Sequence, residues 1–443
     1  MNLLKGIYKT EDRTKIFNNI FWGLAEKTIL LISGVFVYAR VASYLGTEVF
    51  GNFNYILSIY NIFLPLASLG LSNIVVAKLL ERGANQEKLM GTAAIMRACG
   101  ALFAIIANVL FVWLMEGNVN YIYLSFLMSW SYIFSLFLPI DEYFQAQLKS
   151  KSISIIRIIV YSILIVLKLG AVYYHAGLEV FLFIYSLEFM LIVLGSIILY
   201  LKEGNRFQKW KFDLKVAKIL SNAMLPILIT LVADTFYAKY AVVVIKQTMD
   251  FTEVGVYSVA AKLGEIWYFI PVIICIALFP KITKVYNDNR KYYEEIVSNV
   301  YSILFIVSLL VSAFAIVLVE PFVNIFFDAS YLDSVPIFQV YVFIGIFIAL
   351  KTLNQRIYIL ENIQKYLVVF SVLSSIISVV LFYILIPRYG GIGAAIAIIV
   401  SQIFYIFINP LFFKKARTQV KYIIKGILPW NYLKVKSLFL KRQ

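Results

Sequence analysis

"LPILITLVADTFYAKYAVVVI", residues 225–245, reads as a membrane span interrupted by Asp234 and Lys239. A charge at the centre of a bilayer costs roughly 2.5–3.5 kcal/mol on insertion scales, so a protein partner or water must offset it. The five-residue spacing puts the two side chains on different faces of a helix, which disfavours a strong pair between them. Each is therefore expected to meet another helix or an aqueous space. This stretch points at once to a membrane protein and to a polar interior.

The rest of the chain has the same character. Of 443 residues, 62% are hydrophobic and only 14% charged, against about 45–50% and about a quarter in soluble domains. Twelve apolar stretches are long enough to span: 17–44, 52–77, 91–115, 120–145, 153–174, 178–200, 217–245, 254–280, 297–319, 335–356, 366–386 and 391–413. With a cytoplasmic N-terminus, the inside segments carry 31 of the 40 Lys and Arg residues, and the outside loops carry only Lys246 and Arg388. That asymmetry is the positive-inside signature and places both termini in the cytoplasm. It also accounts for the net charge of +16 without nucleic-acid binding. Cys99 and Cys275 fall inside spans and the single histidine is His175, so neither a disulfide framework nor a metal centre is expected. The polar, basic opening "MNLLKGIYKTEDRTK" carries no signal-peptide pattern.

The longest polar break, around residues 201–216, divides the spans six and six. The expected organisation is a lobe over 1–200, a cytoplasmic linker over 201–216, a lobe over 217–413 and a basic amphipathic tail over 414–443. Two halves with an even number of spans share one orientation, which implies a parallel repeat about an axis along the membrane normal. A trace of it survives in "TEVFGNFNY" (47–55) and "TEVGVYSVA" (252–260), where Thr, Glu, Val and Gly coincide with one gap. The fold class is thus an all-α integral membrane protein of 12 transmembrane helices, in two parallel-repeat six-helix lobes around a central cavity. Gly46, Gly51, Gly255, Pro387 and Gly391 read as structural positions at turns and helix starts. The tail holds nine basic residues and no acid among Trp430, Tyr432, Leu433 and Phe439, a composition suited to anionic lipid headgroups.

Charges deep in the spans carry the functional reading. Arg40, Asp141, Glu142 and Lys351 lie close enough to span borders to snorkel. Lys262 and Glu265 share a helix face and can neutralise each other. Lys27, Arg97, Lys168, Lys239 and Lys262 are the candidate substrate-binding cations, and Asp234 and Glu188 the candidate ion-coupling carboxylates. A cavity biased toward Lys and Arg favours an anion, and pyrophosphate fits because these side chains neutralise and hydrogen-bond phosphate oxygens. No phosphate-binding loop, nucleophile elbow or zinc-protease motif occurs, so no cofactor and no enzyme chemistry are expected.

In order along the chain, "RVASYLGTEVFGNFNYILSIYNIFLPLASLGLSNIVVAKL" (40–79), "EYFQAQLKSKSISIIRI" (142–158), "FTEVGVYSVAAKL" (251–263) and "IPRYGGIGAAIAIIVSQ" (386–402) resemble the Wzx-type polysaccharide-repeat flippases of O-antigen and capsule assembly. Their superfamily also holds multidrug extruders and a peptidoglycan-precursor flippase. The resemblance implies a bacterial cytoplasmic (inner) membrane protein. Its implied substrate is an oligosaccharide on undecaprenyl pyrophosphate, moved from inner to outer leaflet by alternating access. Membrane lipids, a polysaccharide polymerase and a chain-length regulator are the implied partners. An ion-coupled drug exporter of the same superfamily, a lipid-linked glycan polymerase or ligase, and a non-transporting scaffold stand as alternatives.

Overall fold

A computed structural model describes residues 22–23, 25–286 and 289–428, and among these no strand occurs. The helices are α1 (Tyr38–Ser68), α2 (Ser72–Leu79), α3 (Gln86–Glu116), α4 (Val119–Ser129), α5 (Leu138–Ala146), α6 (Ser150–Tyr173), α7 (Leu178–Lys202), α8 (Leu214–Thr248), α9 (Phe251–Glu265), α10 (Phe269–Tyr286), α11 (Arg290–Phe326), α12 (Ser334–Tyr341), α13 (Ile344–Leu360), α14 (Lys365–Ile403) and α15 (Arg417–Ile427). Helix is the economical answer in hydrocarbon, because each backbone N–H and C=O finds its partner within its own segment. The starts are set by side chains. Asn85, Asn118, Asp250 and Asn289 each accept a bond from a backbone N–H of the first turn they precede, a contribution of about 1 kcal/mol apiece.

Ten helical stretches among the described residues are long and apolar enough to cross a membrane. Two of them, Ala25–Leu79 and Lys365–Phe412, run to 55 and 48 residues. At 1.5 Å per residue either exceeds twice the ~30 Å hydrocarbon thickness, so each accounts for two of the twelve expected spans. Each contains a glycine in a non-helical conformation: Gly46 at φ 72°, ψ 166° and Gly390 at φ 55°, ψ −137°. The first stretch is interrupted again between α1 and α2, at Leu69 and Gly70. Positive φ of this kind is where a side chain would be strained. The expected Gly46 is one of the breaks; Gly390 falls one residue before the expected Gly391.

The helices form two compact units. The first comprises residues 1–45 and 56–235, the second residues 46–55 and 236–443. The division therefore falls inside α8 rather than within 201–216. The reason is local, since the linker is strapped to the first unit. The Lys211 N–H donates to the Glu87 carbonyl, and the Asp213 N–H donates to Thr92 Oγ1 at 3.0 Å. Lys88 Nζ donates to the Asp213 carboxylate at 2.7 Å, and Trp210 Nε1 donates to the Tyr200 hydroxyl at 3.0 Å. Leu71, Val75, Met90, Ile140, Phe144 and Leu220 form part of the core beneath that strap.

In the second unit, α11 and α13 pack around Tyr293, Tyr301, Leu353, Ile357 and Phe370. The two repeat stretches meet here. A Cβ on Gly51 would fall below 3.0 Å from the Phe251 carbonyl, and one on Gly255 below 3.0 Å from the Thr47 carbonyl. Each glycine thus admits a backbone carbonyl four residues upstream of the other, a reciprocal crossing that pairs Gly51 with Gly255 and Thr47 with Phe251. The one-residue gap in the sequence match is absent from the packing. Close by, the Gly391 N–H donates to Glu253 Oε1 at 2.7 Å, so a side chain from α9 caps the helix beyond the Gly390 break. Pro387 lies three residues before that break.

The tail behaves as a docked element over its first part. In α15 one face, with Gln419, Val420, Tyr422, Ile423 and Gly426, is buried against α11, while Arg417, Lys421 and Lys425 are exposed. Gln419 donates to Glu361 at 2.9 Å, and Arg290 donates to the Tyr422 hydroxyl at 2.9 Å. Trp430, Tyr432, Leu433 and Phe439 lie outside the described residues.

Candidate functional site

In the first unit the intramembrane charges form two groups. Arg97 has no exposed surface, and its guanidinium grips Glu142 with two nitrogens, one of them at 3.1 Å. Arg97 Nε also donates to the Ser68 carbonyl at 3.2 Å, where α1 ends at Leu69 in a left-handed turn (φ 56°). A cation at a helix C-terminus satisfies a carbonyl and opposes the dipole. Gly100, one turn along α3, leaves no space for a Cβ against the Leu66 carbonyl. Arg97, expected as a substrate cation, is here neutralised and enclosed. Glu142, expected to snorkel, is its counter-ion.

The second group runs from α5 across α6 to α7. Arg157 donates to Asp141 at 2.6 Å and to Glu26 at 3.3 Å, and Ser154 donates to Glu26 at 2.8 Å. Lys27 sits 3.9 Å from Glu26 with more than half of its side chain exposed. The charge of Glu188 acts on the phenols of Tyr60, Tyr161 and Tyr185, and Lys168 lies over the Tyr185 ring at 5.5 Å. Lys168 and Glu188 therefore both act on Tyr185. Asp234 is half-buried on α8, in the last part of this unit.

The second unit holds the more basic site. Lys239 Nζ on α8 lies 3.3 Å from Glu265 Oε1 on α9, and the Tyr341 hydroxyl on α12 donates to the same oxygen at 3.1 Å. Lys262, one turn before Glu265, also acts on that carboxylate. Lys239 thus meets another helix, as the five-residue spacing from Asp234 requires. Its partner is the acid expected to serve Lys262 alone. Tyr257 and Tyr268 also lie within reach of its charge. Lys239 and Glu265 keep 31% and 30% of their side-chain surface exposed, so this is an open pair, unlike Arg97–Glu142.

A further polar stripe escaped the sequence reading. Lys351, Asn354, Tyr358 and Glu361 recur at helical spacing along one side of α13. Lys351, expected to snorkel, is 6% exposed, with its ammonium 4.3 Å from the Tyr405 ring centre and 5.3 Å from that of Tyr237. At the far end Glu361 accepts from Tyr293 at 2.9 Å and from Arg290 at 3.4 Å. The i, i+3, i+7, i+10 spacing was the available signal. Judging Lys351 by its distance from a span border hid it. No group of three or more His, Cys, Asp or Glu that could hold a metal occurs among the described residues.

Residues 16–286 match the family model described as "Polysaccharide biosynthesis protein". No curated protein matches the chain in sequence. Among solved structures, the lipid II flippase MurJ in an inward closed conformation is similar at TM-score 0.69 and 16% identity, covering 95% of this chain and 98% of that one. An inward-facing multidrug resistance MATE family transporter of the MOP superfamily gives TM-score 0.68 at 13% identity, covering 93% and 96%. A point mutant of the Vibrio cholerae MATE transporter VcmN gives 0.57 at 11% identity, covering 97% and 96%. At these identities the likeness is one of fold.

Proposed function

As this chain belongs to the polysaccharide biosynthesis protein family, we propose that it is a flippase for a lipid-linked oligosaccharide. Its cargo in this reading is a glycan repeat on undecaprenyl pyrophosphate, carried from the inner to the outer leaflet of the bacterial cytoplasmic membrane by alternating access. Both termini are cytoplasmic, and the product feeds surface polysaccharide assembly through a polymerase and a chain-length regulator. The observation that carries the reading is the open Lys239–Glu265 pair in the second unit, with Lys262 acting on the same carboxylate. An ammonium group held in a partly exposed pair within a membrane lobe can turn to an anion, and phosphate oxygens are its natural complement. The neighbouring tyrosines offer hydroxyls and apolar faces suited to sugars. A resident charge at such depth is expected to face protein or water rather than lipid. MurJ, whose name states that it flips lipid II, supports the cargo class, since the same fold serves a lipid-linked substrate there.

The test is mass spectrometry of lipid extracts from a deletion strain and its complemented parent, with a leaflet assay on the same cells. Undecaprenyl pyrophosphate bearing one complete repeat accumulates in the inner leaflet, and surface polymer is lost. Intact polymer without accumulation defeats the reading and favours the drug-exporter function that the MATE neighbours are named for. Accumulation in the outer leaflet instead points to a polymerase or ligase.

A further inference from the structure

We infer that Glu265 is a built-in counter-ion that competes with the cargo's phosphates for Lys239, and so sets the affinity and release of the anion. The inference rests on the flippase reading and adds to it a positioning residue that acts through its lysine.

Three features carry it. First, Glu265 makes its ion pair across helices rather than within one. Lys239 reaches it from α8 at 3.3 Å, while Lys262 acts from its own helix. The carboxylate thus holds the Lys239 ammonium in place ahead of the cargo. Second, the pair is about one-third exposed at both ends, so an incoming anion can reach Lys239 without unpacking a core. Arg97–Glu142, with 0% and 2% exposed, cannot exchange partners in that way. Third, Tyr341 donates to the same Glu265 oxygen that Lys239 approaches. When a lysine turns to a phosphate, that hydroxyl still holds the carboxylate, which is not left without a partner. Burial of a charge with no partner would cost several kcal/mol, and the tyrosine lowers that cost for the swap.

The groups that act on Glu265 are Lys239 from α8, Lys262 and Tyr257 from α9, Tyr268 just beyond α9, and Tyr341 from α12. Lys239 is the cation among them that the Glu265 pair and the anion would share. Phosphate binding and the Lys239–Glu265 pair are therefore coupled and reciprocal. Glu265 is charged, so the anion must displace it from Lys239. In that exchange the ammonium changes partner, and no proton is transferred and no covalent bond of the cargo changes.

The experiment uses the full chain in nanodiscs, with undecaprenyl pyrophosphate as probe, its Kd read by native mass spectrometry at neutral pH. Glu265→Gln keeps the shape and an oxygen for Tyr341 but removes the charge. Its Kd falls about tenfold or more below wild type, and that gain shrinks when the same change is made in a Lys239→Met background. In reconstituted flipping the same variant lowers KM and kcat together, because release slows. Glu265→Asp keeps the charge at shorter reach, so its Kd is intermediate; it carries the test if Glu265→Gln does not fold. A Kd for the folded Gln variant equal to or weaker than wild type, or a gain undiminished in the Lys239→Met background, overturns the counter-ion role and leaves the flippase reading standing. Failure of the wild-type chain to bind the probe overturns both.

Discussion

Arg97 and Lys239 are both cations in the middle of spans, and their surroundings give them opposite expected behaviour. Arg97 is fully enclosed and bidentate to Glu142. Removing one member of such a pair leaves an uncompensated buried charge, a loss of about 3–5 kcal/mol, whereas replacing both with apolar side chains of similar volume is close to neutral. Arg97→Met and Glu142→Leu should each lower the melting temperature of the purified protein sharply, and the double variant should recover most of the loss. An additive double variant would dismiss the pair as a unit. At the linker, the hydrogen bond from Lys88 and the backbone N–H of Val216 hold the Asp213 carboxyl below its ordinary range. A lowered carboxylate stabilises the folded strap above the unfolded value and loses that contribution as pH falls through the lowered one. Protection factors for hydrogen exchange over residues 203–213, taken against the intrinsic rate at each pH, should therefore stay high at neutral pH and drop on acidification below the normal Asp range. Lys88→Met should lower them already at neutral pH. The intramembrane charges could be located by residue type, but their partners could not. For Asp141, Glu142 and Lys351 the sequence offers distance from a span border, and that measure is blind to which helix stands opposite. Partner choice is set by tertiary contacts with no signature in local spacing, as when Glu265 takes Lys239 from another helix.

At the scale of elements, the second unit turns on two glycines that let backbones touch. Gly51 and Gly255 face the carbonyls of Phe251 and Thr47, which cannot move aside as a flexible side chain would. Gly51→Val or Gly255→Val should then cost several kcal/mol, the scale of an overpacked core. The expected phenotype is loss of folded protein, read by fluorescence-detected size exclusion. Gly170, in the last turn of α6, meets nothing within 4 Å, so Gly170→Ala should be neutral or stabilise by up to about 0.5 kcal/mol through helix propensity alone. Equal damage from Gly170→Ala and Gly255→Val would mean that the crossing has no special standing. The two repeats were visible as a short coincidence of Thr, Glu, Val and Gly. That they pack on each other was not, because similarity between segments reports a shared local shape and not a mutual contact. The gap placed in that comparison followed residue identity, whereas the helices align by the carbonyl each glycine admits.

For the whole molecule, hydropathy was a sufficient guide to the helices, because a bilayer forces the backbone to satisfy itself within each apolar segment. It was a poorer guide to the units. The polar linker marks a change in composition, yet Lys88, Thr92 and Tyr200 tie it to the first unit, and the chain passes to the second only within α8. The charge distribution makes one claim about the entire chain, its orientation, and cysteine labelling can decide it. Cys99 is exposed and Cys275 buried, so a Cys99→Ala, Cys275→Ala background comes first. Arg82, Tyr174, Asp328 and Gln364 are exposed residues in the connections between helices. With basic loops inside, a membrane-impermeant maleimide should label Tyr174→Cys and Asp328→Cys in intact cells. Arg82→Cys and Gln364→Cys should react only after permeabilisation. The reverse pattern would invert the protein and put the basic linker outside, against the direction of transport proposed for it. Labelling of Tyr174→Cys and Asp328→Cys from opposite sides would break the parallel repeat, because an odd number of passes would then separate them. The expected pattern requires an even number between those two connections, including α8, the helix that carries Lys239 across the division between the two units.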